Sequence, residues 1–76
     1  MEKFYFDLVG DVAASDPIGH DCANAEEARE HGRFIAHRIG TEKPQMVRPG
    51  NHICVRDEGG YAIYRAPIAT TAAAKH

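Results

Sequence analysis

One helical segment of this chain carries an inward stripe made mostly of the smallest side chains. The segment is predicted over residues 25–39, because Asn24 is a favourable N-cap with Glu27 three residues later, and Gly40 is a favourable C′ residue. At about 100° per residue, one face of this helix collects Ala25, Ala28, Gly32, Ile35, Ala36 and Ile39. Since most of these side chains are Ala or Gly, we expect the helix to lie close against a sheet.

Alternating segments on both sides of the helix predict the strands of that sheet. Over residues 2–8, the side chains on one face are Phe4, Phe6 and Leu8, and those on the other are Lys3, Tyr5 and Asp7. Over residues 52–57, Ile53 and Val55 share one face, and the other face carries His52, Cys54 and Arg56. Each segment therefore has one face suited to burial.

Turn signals complete the predicted order of elements. Residues 57–60 read Asp-Glu-Gly-Gly, which is typical of a hairpin turn. Residues 61–66 then form the return strand, and Pro67 ends it or marks a sheet edge. Residues 18–22 are a candidate for one further short strand before the helix.

The order β-(β)-α-β-β predicts an α+β fold. We expect a three- or four-stranded, mainly antiparallel sheet with one helix packed on one face. The expected core packs Phe4, Phe6, Leu8, Ile53 and Val55 against Ala28, Gly32, Ile35 and Ile39. Residues 1–67 are predicted to form a single domain, and residues 68–76 a flexible C-terminal tail.

Charge is unevenly distributed along the chain. The formal net charge is −2 over 76 residues, which argues against a nucleic-acid-coating protein or a polybasic membrane binder. Residues 1–23 hold one Lys against five acidic residues, whereas residues 42–76 hold five basic residues against three acidic ones. Such a bipolar chain can pair with itself or with a basic partner, and the alternative is ordinary solvated surface charge.

The small size of the chain predicts self-association. A lone core of fewer than about 70–80 residues rarely supplies more than about 3–5 kcal/mol, and neither a metal nor a disulfide is evident. We therefore expect a homodimer. The first residues carry charges of both signs and no sustained apolar run, so a cytoplasmic location without a signal peptide is expected.

Two His-x-Cys pairs are the candidates for metal ligands. His20 with Cys22, and His52 with Cys54, would each share one face of a strand, and four N/S ligands suit tetrahedral Zn²⁺. The alternative is that the cysteines are small, partly buried free thiols and the histidines are surface polar groups. We favour the second interpretation and therefore expect no cofactor, with zinc as the alternative.

Catalytic signals are weak. Ser15 lacks a G-x-S-x-G context, no carboxylate spacing indicates an acid/base couple, and the chain is too short to enclose a substrate pocket alone. We therefore expect a protein that is not an enzyme. Five histidines invite a pH-sensing interpretation, but no clustering is predicted, since His31 and His37 lie about 120° apart on the helix.

Aromatic residues on the predicted outer faces are the interface candidates. Tyr5 and His52 point away from the helix, and one of Tyr61 or Tyr64 is expected to join them. Because no basic stripe accompanies them, a protein interface is favoured over a stacking platform for single-stranded nucleic acid. Phe34 on the outer helix face is a second candidate; the alternative is that residues 41–50 cover it.

Short motifs in one order carry a resemblance to a known family. They are Phe4-Tyr5-Phe6-Asp7, Asp16-Pro17-Ile18-Gly19, Ala25-Glu26-Glu27-Ala28-Arg29 and Val55-Arg56-Asp57-Glu58-Gly59-Gly60. This order resembles a family of short, uncharacterised proteins, a domain of unknown function, from rhizobia and related alphaproteobacteria. The family has no established activity, so the resemblance implies no functional residue.

A second resemblance is to HicB-type antitoxins. Ile18-Gly19-His20-Asp21-Cys22 followed by Ala25-Glu26-Glu27-Ala28 is similar to the segment of such antitoxins that leads into their helix. This resemblance implies a small acidic module that blocks a basic protein.

We therefore consider three functions, in decreasing order of preference. The first is a non-enzymatic protein-interaction module, acting as a homodimer or with a protein partner. The second is a nucleic-acid-associated regulator or antitoxin-like module. The third is a metal-binding or catalytic dimer.

Overall fold

Four strands and one α-helix account for most of residues 1–69, the part of the chain that the computed structural model describes. The elements are β1 (Glu2–Val9), β2 (His20–Cys22), α1 (Ala25–Glu42), a 3₁₀ helix (Pro44–Met46), β3 (His52–Arg56) and β4 (Ala62–Pro67). The sheet order is β2-β1-β3-β4, and every neighbouring pair is antiparallel. The α+β fold is confirmed, with the short strand β2 as the fourth strand.

The alternation in β1 and β3 places one face of the sheet under α1. Phe6 pairs with Val55 and Leu8 with Ile53, so the apolar side chains of neighbouring strands lie side by side. The buried core consists of Phe4, Phe6, Cys22, Ala28, Ala36, Met46, Ile53, Val55, Ala66 and Ile68. Three residues of the predicted core, Leu8, Ile35 and Ile39, are partly buried at its margin.

The helix lies close to the sheet, as its small inward side chains predict. A Cβ atom added to Gly32 would lie 2.7 Å from Cγ2 of the fully buried Val55. That distance is far inside ordinary van der Waals contact, so the position requires glycine. The start of the helix also follows the prediction, because the Glu27 backbone N–H donates to Oδ1 of Asn24 at 2.9 Å.

The end of the helix differs from the prediction. Gly40 is not a C′ residue but is buried inside α1, which continues to Glu42. A Cβ at Gly40 would lie 2.6 Å from the backbone oxygen of Ala69, so packing against the segment after β4 explains the glycine. The cap is Lys43, whose backbone N–H donates to the Ile39 carbonyl at 2.7 Å.

The packed part of the chain extends beyond residue 67. Ile68 is only 3% exposed, and its N–H donates to the Asn51 carbonyl at 3.1 Å. Residue 68 therefore does not belong to a tail, since its side chain completes the core beyond the end of β4. The rest of the predicted tail, residues 70–76, lies outside the described residues.

Buried Asn51 connects the two long loops of the fold. Its Oδ1 accepts the Asp11 N–H at 2.9 Å, and its Nδ2 donates to the Met46 carbonyl at 3.0 Å. The loop after β1 and the segment before β3 are thereby held together at one end of the sheet. Within residues 1–69, no helix is long and apolar enough to cross a membrane.

Candidate interaction surfaces

The face of the sheet opposite α1 carries the polar half of the alternation. We call it the outer sheet face, and define it by Lys3, Tyr5 and Asp7 of β1, Asp21 of β2, His52, Cys54 and Arg56 of β3, and Arg65 of β4. These residues alternate with the buried ones along each strand. The predicted orientation of Tyr5 and His52, away from the helix, is confirmed.

An ion pair and an aromatic ring occupy the middle of the outer sheet face. Nε of Arg56 donates to Asp7 Oδ2 at 2.6 Å, and Nη2 donates to Oδ1 at 3.3 Å. The guanidinium carbon lies 5.2 Å from the centre of the Tyr5 ring, in the geometry of a cation–π contact. The hydrogen bonds from Arg56 hold the pKa of Asp7 below its ordinary value, against the smaller opposing effect of burial. Arg56 is thus fixed in one orientation.

The loop between β1 and β2 supports this pair from the side. The Asp16 N–H donates to Asp7 Oδ1 at 2.9 Å, so Asp7 is held from two directions. The Asp16 carboxylate accepts the N–H groups of Phe6, Ile18 and Gly19 at 3.2, 3.1 and 3.0 Å. Burial opposes ionisation of Asp16, but these three donors outweigh it, so the pKa of Asp16 is lowered.

The two edges of the outer sheet face carry charges of opposite sign. Asp21 is exposed on the edge strand β2, and Arg65 is exposed on the edge strand β4. Among the described residues neither side chain forms an ion pair. In the strand register Asp21 is level with Lys3, and Arg65 is level with Cys54 and Asp7. Tyr5 and Arg56 lie midway between these two levels.

The two candidate tyrosines of the hairpin do not lie as predicted. Tyr64 is aligned with the buried Val55, and its hydroxyl accepts from Nη1 of Arg33 on α1 at 3.3 Å, so it faces the helix side. Tyr61 is 73% exposed and lies just before β4, at the end of the turn. A register shift between Val55 and Arg56 breaks the simple alternation that the prediction used.

Two histidines stack where β2 meets α1, an arrangement that sequence reasoning missed. The rings of His20 and His31 have centroids 4.3 Å apart and planes at 8°. The Phe6 ring lies nearly perpendicular to both imidazole rings, with its centroid 6.4 Å from that of His20 and 4.9 Å from that of His31. Burial and, second, the proximity of His20 lower the pKa of His31, while Glu27 acts in the opposite direction. We call this group the imidazole stack.

Phe34 extends the imidazole stack along the helix. Its ring centroid lies 6.2 Å from that of His31, with 23° between the planes. The side chain is 57% exposed, so it is on the surface as the interface hypothesis requires. Residues 41–50 therefore do not bury it.

The two His-x-Cys pairs lie on opposite faces of the sheet. Each pair does share one face of its strand, but His20 and Cys22 are on the helix side, whereas His52 and Cys54 are on the outer sheet face. Strand β1 also separates β2 from β3. One chain therefore cannot bring the four side chains to one ion, and no three His, Cys, Asp or Glu side chains among residues 1–69 are placed to hold a metal.

The cysteines are free thiols in different environments. Cys22 is buried in the core, and burial raises the pKa of its thiol. Cys54 is half-buried on the other side of the sheet. The packing role that the favoured interpretation gives to Cys22 is consistent with its position.

Comparison with known proteins identifies a family. Residues 3–69 match the Domain of unknown function (DUF6894), which covers the helix and every strand except the first residue of β1. Comparison with curated proteins and with solved structures gives no significant match. The match ends just after Ile68, in agreement with the extent of the core. This chain therefore belongs to the DUF6894 family, a domain of unknown function.

Proposed function

We propose that this chain is a non-enzymatic, cytoplasmic protein-interaction module that forms a homodimer through its outer sheet face. The observation that carries the proposal is the Tyr5–Arg56–Asp7 group at the centre of that face. Tyr and Arg are the side chains most often found among the few that dominate the affinity of protein interfaces, and such residues lie near the centre of the contact.

The orientation of Arg56 favours binding. Asp7 holds the guanidinium through two hydrogen bonds, and the Asp16 backbone in turn holds Asp7. A side chain that is already ordered loses less conformational entropy when a partner covers it. The group is therefore better suited to a contact than an equally placed but freely rotating arginine.

A second copy of the chain is the partner that the charges favour. In a two-fold symmetric contact, residue i of one copy meets residue j of the other, and the reverse contact occurs as well. Consider a two-fold axis that lies parallel to the outer sheet face, crosses over Tyr5 and Arg56, and runs perpendicular to the line from Asp21 to Arg65. It would place Asp21 of each copy near the partner's Arg65. Both unpaired edge charges would then be neutralised, twice in each dimer.

The dimensions of the molecule suit this contact. The molecule is flat, with principal extents of 32 × 28 × 16 Å. A broad face of that outline has an area of roughly 700 Å², close to the approximately 800 Å² per partner of a standard interface. The contact would also cover a sheet face that has no helix on it.

Charge reversal tests the proposal. Asp21→Lys and Arg65→Glu should each weaken the dimer about tenfold or more, because each change creates two repulsive contacts by symmetry. The double variant restores opposite signs, and should recover most of the affinity. Sedimentation equilibrium at about 0.15 M salt, where long-range charge effects are screened, measures the distribution between the 8.4 kDa monomer and its dimer.

Glu58→Lys is the matched control for this test. Glu58 is an exposed acidic residue in the turn before β4 and does not lie on the outer sheet face. Its replacement by Lys changes the net charge by the same amount as Asp21→Lys. It should leave the dimer unchanged. A wild-type chain that stays monomeric at high concentration would refute the homodimer, and so would a double variant as weak as the single ones.

The same measurements distinguish the other uses of this face. The antitoxin resemblance implies a basic protein partner, and a nucleic-acid regulator would need the aromatic face for stacking. Either use leaves the purified chain monomeric. A shift in its sedimentation on addition of single-stranded nucleic acid would then identify the second one.

A further inference from the structure

The imidazole stack joins the least supported strand of the sheet to the helix. Strand β2 has three residues, lies at an edge, and pairs with β1 only at Glu2–Phe4. On its helix side it contributes His20, which stacks on His31, and Cys22, which is 1% exposed. The contact of His20 with His31 is thus a large part of what holds β2 against α1.

Neutral imidazoles can stack at this distance, whereas two imidazolium ions would repel each other, with water screening part of the repulsion on the side of the exposed His20. The ring centroids are 4.3 Å apart and the planes nearly parallel, so the two positive charges would face each other directly. The Phe6 ring lies beside the pair and offers no hydrogen-bond acceptor to an added proton. The geometry therefore admits one proton far more easily than two.

Few charged groups are placed to offset that repulsion. On α1 the facing carboxylate is Glu27, whose Oε1 is already engaged by the Ala23 N–H, while Glu30 is exposed beside it. On β2 the other titratable side chains are Cys22, which is buried, and Asp21, which lies on the outer sheet face. On β1 the facing side chain is the apolar Phe6. Among these groups, Glu27 alone is placed to favour binding of the second proton.

We propose that the stacked His20–His31 pair is a proton-operated latch that holds β2 on α1 and releases it when both rings become protonated. Strand β2 moves rather than α1, because α1 packs along the whole core and β2 has only three register pairs. Release uncovers the Cys22 thiol and the edge of β1 at residues 2–4. The stacked rings lie on the helix side of the sheet, opposite the proposed dimer contact, although the same strand carries Asp21 of that contact.

The pH range of the latch follows from the ordinary behaviour of histidine. The folded-state pKa of His31 is lowered from its ordinary value near 6.5, so the unfolded or open chain takes up the proton first as pH falls. The closed form is therefore favoured fully above about pH 6.5, and its advantage decreases as pH falls through the lowered value. Histidine switches of this kind act at about pH 5–6.

Protection of Cys22 reports the state of the latch. In a Cys54→Ser background, Cys22 is the sole thiol, and its rate of reaction with dithiodipyridine is compared with that of the urea-unfolded chain at the same pH. This ratio removes the effect of pH on the thiol itself. We expect protection to fall several-fold between about pH 7.5 and pH 5, because the open form takes up a proton that the closed form disfavours.

Two variants separate the latch from general acid sensitivity. His20→Gln cannot form a pair of charges, so the pH dependence of protection should become clearly smaller, and only the part that comes from burial of His31 should remain. His52→Gln, on the outer sheet face, should retain it. Protection that does not change with pH in the parent chain, or an equal fall in His20→Gln, would overturn the latch.

NMR titration of the imidazole signals gives a second readout that does not need the strand to open. Replacing His20 by Gln should raise the titration midpoint of His31, because a neighbouring positive charge has been removed. An unchanged midpoint would show that the rings do not influence each other, and would overturn the proposal even if Cys22 becomes reactive in acid.

Discussion

At the scale of single residues, the carboxylates of Asp7 and Asp16 each hold several groups in place, which the sequence does not indicate. Asp7 accepts hydrogen bonds from Nε and Nη2 of Arg56 and from the Asp16 N–H, and the Asp16 carboxylate accepts three backbone N–H groups. The sequence predicted that Asp7 points away from the helix. It could not predict the contact of Asp7 with Arg56, since 49 positions separate them.

Replacing Asp7 by Asn should destabilise the fold in a pH-dependent manner. The pKa of Asp7 is lowered in the folded chain, so its ionised form stabilises the fold above the ordinary value of about 3.9. This stabilisation is lost as pH falls through the lowered value. The urea midpoint of Asp7→Asn should thus be below that of the wild type at pH 7, and the difference should narrow as the pH falls below about 3.9.

Glu58→Gln is the control for this comparison, because it removes a carboxylate from an exposed turn. Its urea midpoint should follow that of the wild type over the whole range. A difference between Asp7→Asn and wild type that stays constant down to pH 3 would show that the charge of Asp7 is not what stabilises the fold.

At the scale of elements, local signals predicted the helix start and the faces of β1 and β3, but neither the helix end nor the face of β4. The N-cap bond from Glu27 to Asn24 involves neighbours in sequence, so the residues themselves reveal it. Gly40 resembles a helix stop by composition, yet it is a close-packing position against Ala69. Small residues serve both purposes, and only the position of the segment after β4 distinguishes them.

Gly32→Ala tests the close approach of α1 to β3. In an exposed helix this change would stabilise by about 1 kcal/mol, but here the new methyl meets Val55 at 2.7 Å. We therefore expect a net loss of about 1–3 kcal/mol in the free energy of unfolding, measured by urea denaturation. A stabilised variant would contradict the close packing.

A double variant identifies the contact responsible. Val55→Ala removes the clashing methyl groups and is destabilising by itself, since Val55 is fully buried. If Gly32 and Val55 are in contact, the combined variant should be more stable than the sum of the two single losses predicts. Strict additivity would place the strain of Gly32→Ala elsewhere.

At the scale of the whole molecule, the described residues share one thin core, and this core ends later than the sequence indicates. Ile68 follows Pro67, and a proline at the end of a strand is an ordinary sign that the packed segment is over. The backbone of Ile68 instead continues the pairing toward Asn51, and its side chain enters the core. The homodimer predicted from the size of the core remains a proposal.

Ile68→Ala should destabilise the fold by about 2–5 kcal/mol, because it leaves a cavity in a small core. Ile18→Ala makes the same chemical change at a side chain that is 75% exposed, and should stay within about 0.5 kcal/mol of the wild type. Urea denaturation of the two variants compares them directly. Equal stabilities would place the end of the core before residue 68.

The sequence by itself determined the order of the helix and strands and which face of β1 and of β3 is apolar. These properties depend on spacings of two or about 3.6 residues and on neighbouring caps, which a local pattern contains. It did not determine that His20 meets His31 or that the two His-x-Cys pairs lie on opposite sides of the sheet. Nor did it place Asp21 and Arg65 at opposite edges. Those relations depend on the strand order β2-β1-β3-β4 and on contacts between distant segments, which only the tertiary structure decides.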